Sequence, residues 1–205
     1  MVTVIDYRAG NLYNVGHALK FLGVRHRFSK DPEEVSSADM VILPGVGAAG
    51  PAIESLRERG LADVLKSLTV PFLGICLGMQ LLFEISDEEE TECLGVLPGS
   101  VRRFSGFGLK VPHIGWNQVA IEQDRSCPLF EGIASGSHFY FVHSYYVPCS
   151  KALTTAQTDY GIGFSAAVRK NNYFGVQFHP ERSGDLGLRL LKNFVGIRHA
   201  DRPGN

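Results

Sequence analysis

Residues 71–84, "PFLGICLGMQLLFE", change character in their middle. An apolar run passes through small residues around Cys76 and gives way at once to a helix-like pattern. This is the signature of a buried strand turning sharply into a helix, and it sets the expectation for the chain on either side. Upstream, short apolar runs alternate with amphipathic stretches, as strands joined by helices do in a largely parallel α/β sheet. "VTVID" reads as a first strand, "NLYNVGHALKFLG" as a helix closed by Gly23, and "HRFS" as a short second strand. "ADMVILPG" is a third strand, apolar enough for burial on both faces. "GPAIESLRERGLADVLKSL" is helical with a break near Gly60, and "VPFLGI" is a fourth strand ending at Cys76.

Downstream of Glu84 the texture differs. "ISDEEETECLG" reads as a polar surface loop. "GVLPGSVRRF", "NQVAIE", "HFYFVHSYYV", "ALTTAQT" and "FSAAVRKNNYFGVQF" read as β segments rich in Val, Phe, Tyr and Thr, with a hairpin turn at Lys170, Asn171 and Asn172. "GDLGLRLLKNFVGI" supplies a closing helix, and the tail "RHADRPGN" reads as frayed. The expected fold class is therefore α/β, a largely parallel central sheet flanked by helices with an additional β-rich portion. One domain spanning 1–205 is expected.

With 205 residues, 44% of them hydrophobic, the chain can bury a full core. A net charge of −1 with mixed signs offers neither a basic stripe for nucleic acid nor a polybasic membrane anchor. No charged leader and no apolar stretch of roughly 20 residues stands out, so a cytoplasmic protein with reduced thiols is expected. Cys76, Cys93, Cys127 and Cys149 form no C-x-x-C pair that would suggest zinc, and neither metal nor cofactor is expected.

Gly74-Ile75-Cys76-Leu77-Gly78 fits G-x-nucleophile-x-G, the strand-to-helix elbow with cysteine in place of serine. Such a sulfur sits near the positive end of the following helix, and the N–H of Leu77 points to where an oxyanion would form. The same five residues fit a small buried hydrophobe on a glycine-flanked strand end. A nucleophile needs a base, and "GVQFHPERS" offers His179 at the end of an apolar strand, stiffened by Pro180. Glu181, two residues on, can fix the imidazole tautomer. His113, His138 and His143 compete for the role, but none has an acid so close behind a strand end. In "ILPGVGAAG" the backbone at Gly45 and Val46 offers a second oxyanion donor. The spacing of Gly45, Gly47 and Gly50 also satisfies G-x-G-x-x-G, yet Pro51 follows and no acidic strand end lies about 20 residues on, so dinucleotide binding ranks below the oxyanion role.

"GICLGMQLLFE", "LPGVG" and "FHPE", in this order, resemble the class I, triad-type glutamine amidotransferase family, over nearly the whole chain. "DYRAGNLYNV", "VPHIGWN" and "FYFVHSYY" are similar to its glutaminase subunits of imidazole glycerol phosphate synthase, in histidine biosynthesis. The resemblance implies that Cys76 attacks the side-chain amide of glutamine, that His179 oriented by Glu181 moves the protons, and that Val46 and Leu77 N–H groups, with Gly45, hold the oxyanion. It implies substrate contacts at Gly47, Gln80, Glu88 and the backbone of Ser144 and Tyr145. On sequence alone Gln80 reads as an exposed helical residue. The family delivers ammonia to a (β/α)₈ cyclase, which these 205 residues do not contain, so a heterodimer partner in trans is expected. Asn11, Asn14, Trp116 and Arg182 are implied near that interface, though Trp116 fits a core aromatic equally well. The peptide between Gly45 and Val46 is expected to be flexible, with partner binding favouring its N–H inward and the free subunit nearly silent.

Two other classes stay open on the residues. A cysteine peptidase or hydrolase of related α/β form would use the same elbow, and an interaction subunit could retain a dead site. Among relatives, glutaminase subunits of anthranilate, aminodeoxychorismate or pyridoxal phosphate synthesis share the triad.

Overall fold

The structure is a computed structural model and describes residues 1–7, 11–105, 108 and 110–197. In chain order the first half runs β1 (Val2–Ile5), α1 (Leu12–Phe21), β2 (His26–Ser29), α2 (Pro32–Ser36), β3 (Met40–Gly45), α3 (Ala49–Glu58), α4 (Leu61–Ser67), β4 (Phe72–Cys76) and α5 (Leu77–Gln80). Three short strands follow, β5 (Ile85–Ser86), β6 (Thr91–Glu92) and β7 (Ser100–Arg103). The second half is β8 (His113–Ile121), β9 (Ser137–His143), β10 (Tyr145–Tyr146), β11 (Thr154–Asp159), β12 (Gly163–Lys170), β13 (Tyr173–Val176) and α6 (Gly184–Gly196).

Among the described residues nine strands form one sheet, ordered β2-β1-β3-β4-β13-β12-β11-β8-β9. Strands β2, β1, β3, β4 and β13 run parallel, and the remainder pair antiparallel. The pleat sorts side chains to two faces. Ile42, Leu73, Ile75, Phe174 and Val176 pack toward α1 and α6, with Val15, Leu19, Leu190 and Phe194. Val41, Leu43 and Phe72 pack toward α3 and α4, with Ile53, Leu56, Leu61 and Leu65.

Several elements depart from the sequence expectations. Helix α2 was not foreseen, although Asp31 caps it by accepting from the Glu33 N–H at 2.8 Å and Pro32 opens it. The polar stretch after Glu84 carries β5 and β6, which join β7 and β10 in a second, four-stranded sheet, and it buries Cys93 and Leu94. The segment read as one strand over 138–147 splits at Ser144 between the two sheets. His143 Nδ1 donates to the Tyr145 carbonyl at 2.7 Å, and the Phe104 N–H takes the Ser144 carbonyl at 3.1 Å, so the backbone leaves one ladder for the other. Helix α5 is a single turn, because Leu82 and Phe83 close back onto Met79 and Gln80 with i→i−3 bonds that tighten the chain. The tail after Ile197, and Arg8, Ala9 and Gly10 of the "DYRAGN" stretch, lie outside the described residues.

Candidate active site

The register of the parallel strands gathers three loops at the carboxyl ends of the central strands β3, β4 and β13. Gly45 at the end of β3 pairs with Cys76 at the end of β4, and β13 pairs with β4 up to Val176 opposite Ile75. His179 follows three residues beyond Val176. Loops leaving the carboxyl ends of adjacent parallel strands meet in this way throughout open α/β sheets.

Cys76 sits on the elbow with φ 53 and ψ −111, a conformation rarely taken by a residue with a side chain. The flanking glycines explain how the turn is possible. A Cβ on Gly74 would lie 2.5 Å from the Gly78 carbonyl oxygen, and one on Gly78 would run into the Leu43 carbonyl. The sulfur is largely buried, donates to the Val142 carbonyl at 3.7 Å and accepts from Gln177 Nε2 at 3.6 Å.

His179 is fixed from three directions. Its N–H donates to the Tyr140 carbonyl at 2.9 Å, its carbonyl accepts from Ser183 Oγ at 2.7 Å, and Nδ1 meets Glu181 Oε1 at 2.8 Å. Both side chains of that last pair are almost fully buried. Nε2 is buried with no partner at hydrogen-bonding distance among the described residues, so it is the free nitrogen of the ring. Burial pushes the imidazole pKa down, but Cys76, once its proton has left, and Glu181 outweigh burial and raise it to about 10. A protonated imidazole between a sulfur and a carboxylate can donate to a leaving group and then take a proton back.

The competing histidines fall away. His113 and His143 bond to each other at 3.0 Å inside an aromatic cluster, and burial lowers them to about 4 and about 3. His138 is exposed on β9. Of the other cysteines, burial pushes Cys93 up to about 11 and also raises Cys127, as suits structural thiols, whereas Cys149 is exposed.

The peptide after Gly45 leads to Val46, 41% exposed, and to Gly47 at φ 95, on the open side of the elbow. Leu77 begins α5, so its N–H has no i−4 carbonyl within the helix. Glu88 Oε2 accepts from the Ala49 N–H at 2.7 Å. An acid thus already occupies the start of α3, where a dinucleotide phosphate would need to sit. Gln80 corrects the exposed reading: only 6% accessible, it donates through Nε2 to the Tyr145 carbonyl and to Gln177 Oε1, each at 2.9 Å. Trp116 corrects the core reading, being 56% exposed on β8 with its ring 6.1 Å from Tyr140. The Arg182 guanidinium lies over the same tyrosine at 4.3 Å. Asn14 lines a cleft of about 720 Å³ with His17, Phe21, Glu181 and Leu188, and Asn11 caps α1 without a side-chain bond.

Tyr7 and Gln177 had no assigned role in the sequence. Tyr7 is buried, its hydroxyl has no hydrogen-bond partner among the described residues, and it senses the Cys76 charge; burial and then that charge raise its pKa. The signal for Gln177 was present: a lone amide in the apolar run "YFGVQF" demands a polar partner inside.

The family profile described as glutamine amidotransferase class-I matches residues 3–197. The chain is 47% identical over 204 residues to the imidazole glycerol phosphate synthase subunit HisH of Bacillus cereus (strain G9842), covering 98% of this chain and 96% of that one. It is 47% identical over 209 residues to the subunit of the same name from Chloroflexus aurantiacus, covering 99% of each. Among solved structures, PurLQS from Thermotoga maritima superposes with a TM-score of 0.75 at 20% identity, over 95% of this chain and 97% of that one, a likeness of fold. Matched along almost its whole length, and with an elbow cysteine, a buried histidine and a carboxylate at the carboxyl ends of its central strands, the chain belongs to the class-I glutamine amidotransferase family.

Proposed function

We propose that this chain, as one amidotransferase domain, is the glutaminase subunit of an imidazole glycerol phosphate synthase and works in the cytoplasm. The observation that carries the reading is the cluster of Cys76, His179 and Glu181 in a chain whose near-full-length relatives are HisH subunits. The Cys76 thiolate attacks the side-chain amide carbon of glutamine. The N–H groups of Val46 and Leu77 hold the tetrahedral oxygen, with Gly45 and Gly47 leaving the backbone free to approach. His179, held by Glu181, protonates the departing amine as the C–N bond breaks, and ammonia leaves a glutamyl thioester. Neutral His179 then takes a proton from water, whose oxygen attacks the thioester; glutamate departs and the thiol is restored. Gln80, with its Nε2 engaged inside, offers Oε1 to the amino-acid end of the substrate. Glu88 and the backbone of Ser144 and Tyr145 border the same end.

Ammonia passes to a (β/α)₈ cyclase subunit, which makes imidazole glycerol phosphate and aminoimidazole carboxamide ribotide. Exposed Trp116, Arg182 over Tyr140, Asn14 and Asn11 form the docking face beside the site. The test is glutamate release from glutamine by the purified chain, alone and with the purified cyclase. Release that rises by an order of magnitude or more with the cyclase supports the reading; equal rates, or co-purification with an anthranilate-type synthase instead, contradict it.

A further inference from the structure

The Cys76 sulfur is touched by a side chain that the reaction as drawn leaves idle. Gln177 is fully buried just beyond β13, where the apolar strand would accept a leucine, and its backbone N–H is already engaged by the Ala166 carbonyl at 2.8 Å. A buried amide costs stability unless both of its ends are bonded. Here both are, and the direction is determined by a backbone group. The Tyr145 carbonyl can only accept, so the Gln80 atom 2.9 Å from it is the amide nitrogen. That same nitrogen lies 2.9 Å from Gln177, which must present its oxygen there. Gln177 Nε2 therefore faces the sulfur, at 3.6 Å. The reversed amide would set oxygen against sulfur and nitrogen against nitrogen. The thiol's own hydrogen goes to the Val142 carbonyl, so the Gln177 N–H meets a sulfur lone pair. His143 Nδ1 donates to the Tyr145 carbonyl from another side at 2.7 Å, which pins the anchor of the chain.

We propose that Gln177 is a catalytic residue of this site: its amide N–H holds the Cys76 thiolate ready for attack and favours it over the thiol, with Gln80 and the Tyr145 carbonyl as positioning groups behind it. The proposal rests on Cys76 being the nucleophile. An N–H donor serves the charged sulfur more than the neutral one, and it stays with the sulfur when the proton to Val142 has gone.

The test is alkylation of Cys76 by iodoacetamide in the full chain as a function of pH, with the modified cysteine located by mass spectrometry. In Gln177→Leu the profile moves to higher pH, and the rate at neutral pH falls roughly 10- to 100-fold, the worth of one hydrogen bond to a charged acceptor. Gln177→Glu, similar in shape but without a donor and with a like charge, slows it at least as much. Gln80→Leu, which frees the Gln177 amide to turn over, gives a smaller slowing and keeps the test alive should Gln177→Leu not fold. Profiles superimposable on that of the parent chain in folded variants would overturn the proposal. Alkylation needs neither glutamine nor cyclase, so a parent chain that alkylates normally but does not turn over glutamine with the cyclase fails the glutaminase reading alone.

Discussion

Cys76 holds a backbone conformation that costs a residue with a side chain about 1–3 kcal/mol, and the packing of its neighbours sustains it. Cys76 lies close enough to His179 to act on its charge, and the electrostatics of the imidazole follow from burial and two neighbours. Burial alone would strip the proton from the imidazole; the sulfur and the Glu181 carboxylate keep it on, up to about 10. Replacing Cys76 by Ser removes one of the two negative neighbours, and the His179 pKa, followed by NMR titration, is expected to fall by about 1–3 units. Stability follows the same titration. The folded value lies above the 6.5 of an unperturbed imidazole, so this contribution is fully present below about pH 6.5 and is lost as pH rises through about 10. Melting temperatures across that window should decline less steeply in Cys76→Ser. A His179 pKa unmoved by the substitution contradicts the pairing.

At the scale of elements, the elbow depends on the absence of two side chains. Gly78→Ala drives a methyl into the Leu43 carbonyl of β3, and we expect a loss of about 1–3 kcal/mol or more in denaturant unfolding. Gly196→Ala, at the end of α6 with nothing among the described residues within 4 Å of the added methyl, should stay neutral or gain up to about 1 kcal/mol. Most of the parallel half of the sheet is legible because β1, β3, β4 and β13 are buried on both faces and the helices between them are amphipathic, so periodicity separates them. The second sheet is not: strands of two residues have no period to read, and β5 and β6 owe their existence to partners distant in sequence. Helix α2 is legible in "DPEEV", where a capping acid is followed by proline. Gln80 is buried where helical spacing implies exposure, for a physical reason. A helix of one turn wedged against β3, β4 and β13 has no solvent face, so helical spacing implies an exposure that the packing removes.

For the whole molecule, the sheet brings residues 45, 76 and 179 together at the carboxyl ends of its central strands and sets beside them an open face of β8 and β9. The motifs showed the elbow, the loop and the histidine separately; only pairing across β3, β4 and β13 puts them together, and the Gln177 contact needed the folded chain. Trp116 on that face is 56% exposed, which leaves most of its ring available to a partner. Trp116→Ala is expected to weaken cyclase binding about 30-fold or more, as a central aromatic anchor does, measured by calorimetric titration. Its melting temperature should stay within a few degrees of the parent, since surface substitutions usually cost about 0.5 kcal/mol or less. Unchanged affinity would move the interface elsewhere. The central claim is that one of four cysteines performs covalent chemistry on glutamine. Labelling with an electrophilic glutamine analogue in the presence of the cyclase, followed by peptide mass spectrometry, addresses it directly. The adduct is predicted on Cys76 alone and suppressed by glutamine; an adduct on Cys93, Cys127 or Cys149 with Cys76 unmodified would contradict the account.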